Sequence, residues 1–153
     1  MKFLVGVALF SMSVIFSYVL SRKFVNRREF YVSFKNFNST FKREVLYTQN
    51  SIPKILESLN KDNDFCQCLK HFYSSKNFVF EKNYLNSQDL DFLQKYLTQI
   101  GKSDKISQQK FIENIDEELN VRLSEAVELE KKYKNLYIKL GVLLGLIALI
   151  ICL

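Results

Sequence analysis

The sequence predicts an all-α protein, a cytoplasmic helical bundle with long coiled-coil-like helices set between two terminal transmembrane helices. Three observations predict it. Residues 3–20 carry no charged side chain and residues 136–153 carry one, Lys139; a helix needs about 20 apolar residues to cross a hydrocarbon core roughly 30 Å thick. Only four glycines and one proline occur in 153 residues, so little interrupts a helix. Between the two ends, apolar residues recur at three- and four-residue steps, and no segment alternates as a half-buried strand does. The expected organisation is a transmembrane helix at 3–20, a helical domain at 21–135 and a second transmembrane helix at 136–153.

The net charge of +6 is unevenly placed. Basic residues crowd beside the apolar segments: Arg22, Lys23, Arg27 and Arg28 after the first, Lys131, Lys132, Lys134 and Lys139 before and within the second. That is the positive-inside pattern, which puts the central domain in the cytoplasm and both termini across the cell membrane. It accounts for the basic pI without nucleic acid. The competing reading of residues 3–20 is a cleaved signal peptide, with Lys2 as its n-region and Val19-Leu20-Ser21 as a cleavage site. The apolar run exceeds the usual h-region of about 7–15 residues, and the four cations after it oppose export.

The first helix should continue past the membrane, because Phe30, Phe34, Phe37 and Phe41 fall at four-, three- and four-residue steps and form one stripe. Asn50-Ser51-Ile52-Pro53 ends it and starts a short helix through Leu59. A polar loop, 60–63, precedes a short helix at 65–73. Residues 74–86 are the least regular. Asn86 or Ser87 caps the next helix, with Leu90, Leu93, Leu97 and Ile100 on its apolar face, and Gly101 supplies a left-handed C-terminal cap. Ser103 or Asp104 caps the last helix through a side-chain oxygen that accepts from an unpaired backbone N–H. From there nothing stops the helix. Ile112, Ile115, Leu119, Ala126, Leu129, Tyr133, Leu136, Leu140 and Leu143 follow heptad spacing, broken once by Arg122. A single helix over 104–153 would be about 75 Å long, and its seam would pack most economically on the phenylalanine stripe.

Within the second apolar segment, Gly141 and Gly145 form a GxxxG and Ala148 extends the small face, which lets two helices approach closely in lipid. Gly6, Ala8, Ser13 and Ser17 could supply the opposing face, as could another protein. Lys139 is placed to snorkel to the head groups. Three cysteines, Cys66, Cys68 and Cys152, do not suit a disulfide framework. Cys66, Cys68 and His71 lack a fourth ligand, and ordinary helix side chains explain them better than a metal. Glu113, Asp116, Glu117 and Glu118 read as a solvated helix face. No Walker loop, HExxH or GxSxG occurs, so neither an enzymatic activity nor a cofactor is expected.

Three segments together resemble a known family. They are Glu44-Val45-Leu46-Tyr47 leading to Ile52-Pro53 and Ile55–Leu59; the turn Leu97-Thr98-Gln99-Ile100-Gly101-Lys102-Ser103-Asp104 with Gln108; and Tyr133–Leu140 running into Gly141-Val142-Leu143-Leu144-Gly145-Leu146. In this order and spacing they resemble stage III sporulation protein AB of endospore-forming Firmicutes, a family similar to the cytoplasmic helical domain of type II secretion and type IV pilus F platform proteins. The resemblance is weakest over residues 60–86. It implies a non-enzymatic scaffold of the secretion-like channel between mother cell and forespore, sited in the outer forespore membrane. The implied partners are membrane lipids, other stage III sporulation membrane subunits and a cytoplasmic secretion-type ATPase, with a homo-oligomer possible and no nucleic acid. Its G-x-S-D turn maps onto Gly101, Ser103 and Asp104. The alternatives are a platform subunit of a type II secretion or pilus system and a stand-alone membrane tether or pore-forming hairpin.

Overall fold

The computed structural model describes residues 2–47, 54–55, 63–80 and 82–152, which form helices and the turns joining them, with no strand among them. The elements are α1 (Lys2–Tyr47), α2 (Asp64–Ser75), α3 (Ser87–Gln99), α4 (Lys105–Leu129), a π-helical turn (Glu130–Lys134) and α5 (Asn135–Ile151). Of the helix expected after Pro53, only Lys54 and Ile55 are described, both helical, with Ile55 buried. The rest of that expectation lies outside the described residues. The chain divides into two compact units, Met1–Arg28 with Glu125–Leu153, and Glu29–Ser124.

The second unit, Glu29–Ser124, has an aromatic core. Phe30, Phe34, Phe37 and Phe41 of the α1 stripe are all buried. The two short helices and the segment between them supply the rings that meet them. Phe34 stacks on Phe65 of α2 at 4.4 Å and meets Tyr96 of α3 edge-on at 4.6 Å, and Phe30 touches Phe65 and Phe80 at 5.6 and 5.4 Å. Such pairs contribute about 0.5–1.5 kcal/mol each beyond the area they bury. Helix α4 lies against the same stripe through Asn38, a buried residue whose amide donates to the Ile112 carbonyl at 3.2 Å.

Caps explain where these helices start. Asn63 accepts from the Cys66 N–H at 2.9 Å and begins α2. At α3, the Asn86 side chain accepts from the Asp89 N–H at 2.7 Å and the Asp89 carboxylate accepts from the Asn86 N–H at 3.2 Å, a reciprocal capping box. Helix α2 ends on Lys76, which takes a left-handed φ of 56° without being glycine.

The first unit is a pair of helix segments with small residues between them. Gly6, Ser17 and Ser21 of α1 are buried, as are Gly141 and Gly145 of α5. Most large apolar side chains here point outward, including Leu4, Ile15, Phe16, Ile150 and Ile151. Two helices, α1 and the α4–α5 run, are long and apolar enough to cross a membrane, and only 17% and 11% of their most apolar 18-residue windows are buried. A helix in a water-soluble core would bury far more.

The heptad reading of the return helix needs correction. Ile112, Ile115 and Leu119 are buried in the second unit and Ala126 in the first, but Leu136, Leu140 and Leu143 are 45%, 45% and 55% exposed. The cause is the π turn at Glu130–Lys134. A π turn holds one extra residue, which rotates everything after it by about 100°. The inward stripe therefore steps one place, from Leu140 to Gly141, and continues at Gly145.

Candidate functional site

Two sites follow from this architecture, one in each unit. In the first, α1 and α5 come close enough for glycine to be required. A Cβ at Gly141 would overlap Ser17 Oγ and lie 2.5 Å from Ser17 Cβ. One at Gly145 would lie 2.7 Å from the Phe10 ring. Ser13 Oγ donates to the Gly141 carbonyl at 2.9 Å, and such bonds between helices in lipid contribute about 0.6 kcal/mol on average. Ala148 is half-buried on the same face. Of the four α1 residues expected to oppose the glycines, Ser13 and Ser17 touch Gly141 and Gly6 meets Leu149 and Cys152, while Ala8 is exposed.

Where these helices leave their apolar stretches, cations and rings gather. Arg28 Nε pairs with Glu130 at 2.9 Å, and Lys134 reaches the same carboxylate at 3.6 Å. Phe24 stacks on Tyr133 at 5.0 Å. Arg22, Lys23, Lys131, Lys132 and Lys139 are exposed, and Arg27 is partly covered.

The second unit holds a polar node that sequence reasoning missed. Asp89 is 1% exposed. Besides closing the α3 capping box, its carboxylate accepts from the Tyr31 hydroxyl of α1 at 2.6 Å and from Arg122 of α4 at 3.2 Å. Arg122 also bonds Glu118 at 2.7 Å and lies over the Phe92 ring at 4.4 Å. One carboxylate thus ties three helices. Burial first, and then the Asp89 bond, hold the Tyr31 phenol well above its ordinary range. Arg122, the break in the heptad seam, is explained by this partner. The signal was present in Asn86 and Asp89 as a capping pair, and in an arginine at a seam position.

The turn predicted at Gly101, Ser103 and Asp104 is organised by a fourth residue. Gly101 takes φ 75°, a conformation that favours glycine. Buried Gln108 accepts from the Gly101 N–H at 3.0 Å and from Ser103 Oγ at 3.1 Å. Asp104 caps α4, accepting from the Ser107 N–H at 3.1 Å; the Ser107 hydroxyl first, and then this backbone bond, lower its carboxyl below the ordinary range. Near α2, Cys66 and Cys68 are buried, and burial raises the Cys68 thiol to about 11, so it stays protonated at neutral pH. His71 is exposed, and no group of three or more His, Cys, Asp or Glu among the described residues could hold a metal.

Stage III sporulation protein AB matches this chain as a family over residues 68–153. The chain belongs to that family. The matched stretch takes in the Gly101–Asp104 turn, Asp89, Arg122 and the glycine face of α5. The 44–47 and 52–59 segments lie upstream of it. No curated protein and no solved structure matches the chain. The family makes this a sporulation-related protein, and the two apolar helices fit a membrane protein.

Proposed function

We propose that the protein is a non-enzymatic platform subunit of a secretion-like channel that crosses the envelope between mother cell and forespore. The observation that carries the proposal is the family match, which covers residues 68–153, from within α2 through the second apolar helix. The basic flanks of both apolar segments favour a cytoplasmic body, and the family resemblance would place it on the mother-cell side of the outer forespore membrane. Its partners would be other stage III sporulation membrane subunits and a cytoplasmic secretion-type ATPase.

The packing supports a scaffold rather than a single tether. The glycine face is filled by the chain's own first helix, so neighbouring spans would meet the outward leucines at 136, 140 and 143. Crosslinking with mass spectrometry in membranes of sporulating cells tests the proposal. Crosslinks to the ATPase and to small multi-span subunits are expected. Crosslinks confined to copies of this chain would replace the proposal with a self-assembling hairpin.

A further inference from the structure

We propose that the basic and aromatic residues at the ends of the paired apolar helices form a docking collar for anionic phospholipid head groups. The inference rests on the membrane reading above and adds lipid selectivity to it. Residues 22–28 and 130–139 hold eight Lys or Arg against one carboxylate, Glu130. That carboxylate is taken up by Arg28 and Lys134. Arg22, Lys23, Lys131, Lys132 and Lys139 are exposed, and none of these five pairs with a carboxylate among the described residues.

Rings lie beside three of these cations. Lys23 Nζ lies 5.0 Å from the Phe24 ring centre and 5.9 Å from that of Tyr137, Lys132 lies 5.4 Å from Tyr133, and Arg22 lies 5.9 Å from Tyr18. Phe24, Tyr133 and Tyr137 pack together, with centroids 5.0 and 6.0 Å apart. Tyrosine rings such as Tyr133 and Tyr137 settle at head-group depth. The apolar side chains next along each helix, Leu20 and Leu140, face outward. Cations in that position meet the phosphates of a bilayer before any other polyanion. The second unit is balanced by contrast: residues 29–124 hold 13 Lys or Arg and 13 Asp or Glu, so the net charge of +6 lies in the first unit. The unneutralised charge is thus concentrated where head groups would lie, and anionic lipid complements it.

Native mass spectrometry of the full chain, released from nanodiscs of equal phosphatidylcholine and phosphatidylglycerol, tests this. Retained lipid should be enriched in phosphatidylglycerol. Each exposed cation removed should lower that preference about five-fold. A variant carrying Arg22→Gln, Lys131→Gln, Lys132→Gln and Lys139→Gln should lose the enrichment, with its helical circular dichroism unchanged. The control, Lys70→Gln, Lys95→Gln, Lys102→Gln and Lys110→Gln, removes the same charge from exposed sites in the second unit and should keep it. No enrichment in the wild type, or equal loss in both variants, overturns the collar. So does a 20-nucleotide DNA that displaces phosphatidylglycerol at physiological salt. Failure of the membrane reading looks different: the chain would wash out of vesicles of either lipid in alkaline carbonate.

Discussion

The two units solve the same problem, holding helices together, with opposite side chains. In Glu29–Ser124 the helices are kept apart by large rings, Phe34, Phe65 and Tyr96, and joined by one buried carboxylate. In Met1–Arg28 with Glu125–Leu153 they touch through Gly141, Gly145, Ser13 and Ser17, and the large side chains face out. Water rewards burying rings, so the first arrangement gains from the hydrophobic effect. Lipid tails are as apolar as leucine, so helices there gain by close backbone approach and by hydrogen bonds. The contrast therefore marks which part of the chain is built for which solvent.

The comparison can be broken most severely at the ring core. Phe34→Ala removes a fully buried ring with partners in α2 and α3, and should cost about 3–5 kcal/mol of stability. Asp89→Ala leaves Arg122 with Glu118 alone, removes the acceptor of the Tyr31 hydroxyl and opens the α3 capping box, and should cost about 2–4 kcal/mol. Chemical denaturation of the full chain in detergent measures both. A loss below about 1 kcal/mol for either would show that the core does not depend on it.

At the glycine face a smaller effect is expected. Gly141→Ala must displace Ser17, at a cost of about 1–3 kcal/mol. A reporter is at hand, because a Cβ built at Gly6 lies 3.0 Å from Cys152 Cβ. The usual disulfide spacing is about 3.5–4.5 Å, so once the helix end gives by about half an ångström, Gly6→Cys should form a disulfide with native Cys152 under mild oxidation, read by peptide mass. Adding Gly141→Leu should suppress that disulfide.

Smaller still is the effect of shortening the π turn. Deleting Lys132 should convert it to regular α-helix and leave Gly141 and Gly145 facing α1, so the Gly6→Cys disulfide should persist. If the wild-type helix were regular, the same deletion would rotate α5 by about 100° and abolish the disulfide. The smallest effect is at Asp104. Its folded carboxyl lies below the ordinary value, so it stabilises the fold above its unfolded pKa of about 3.9 and loses that contribution as pH falls through the folded value. Asp104→Asn keeps a cap acceptor but cannot titrate, and should flatten the acid limb of stability against pH.

Local features were legible in the order of the residues. The Phe30–Phe41 stripe, the Asn86 cap, the left-handed Gly101 and the Asp104 cap each depend on residues within one or two helical turns, and each has the geometry its sequence suggests. Arg122 was legible only as an anomaly. Its partner lies 33 residues away on another helix, and no periodicity points across that gap. Gln108 was legible as part of a turn motif, but not as the residue that accepts from both Gly101 and Ser103.

The sequence by itself determined the helical class, the two apolar ends with their basic flanks, and the starts of the main helices, because propensity, charge and capping act over a few residues. Tertiary structure decided which face of the second apolar helix is buried. Two stripes compete there, Leu136-Leu140-Leu143 and Gly141-Gly145, and a regular helix would continue the first. Only contact with α1 selects between them, since close approach at the glycines, with Ser13 bonded to the Gly141 carbonyl, offsets the poorer hydrogen bonding of a π turn.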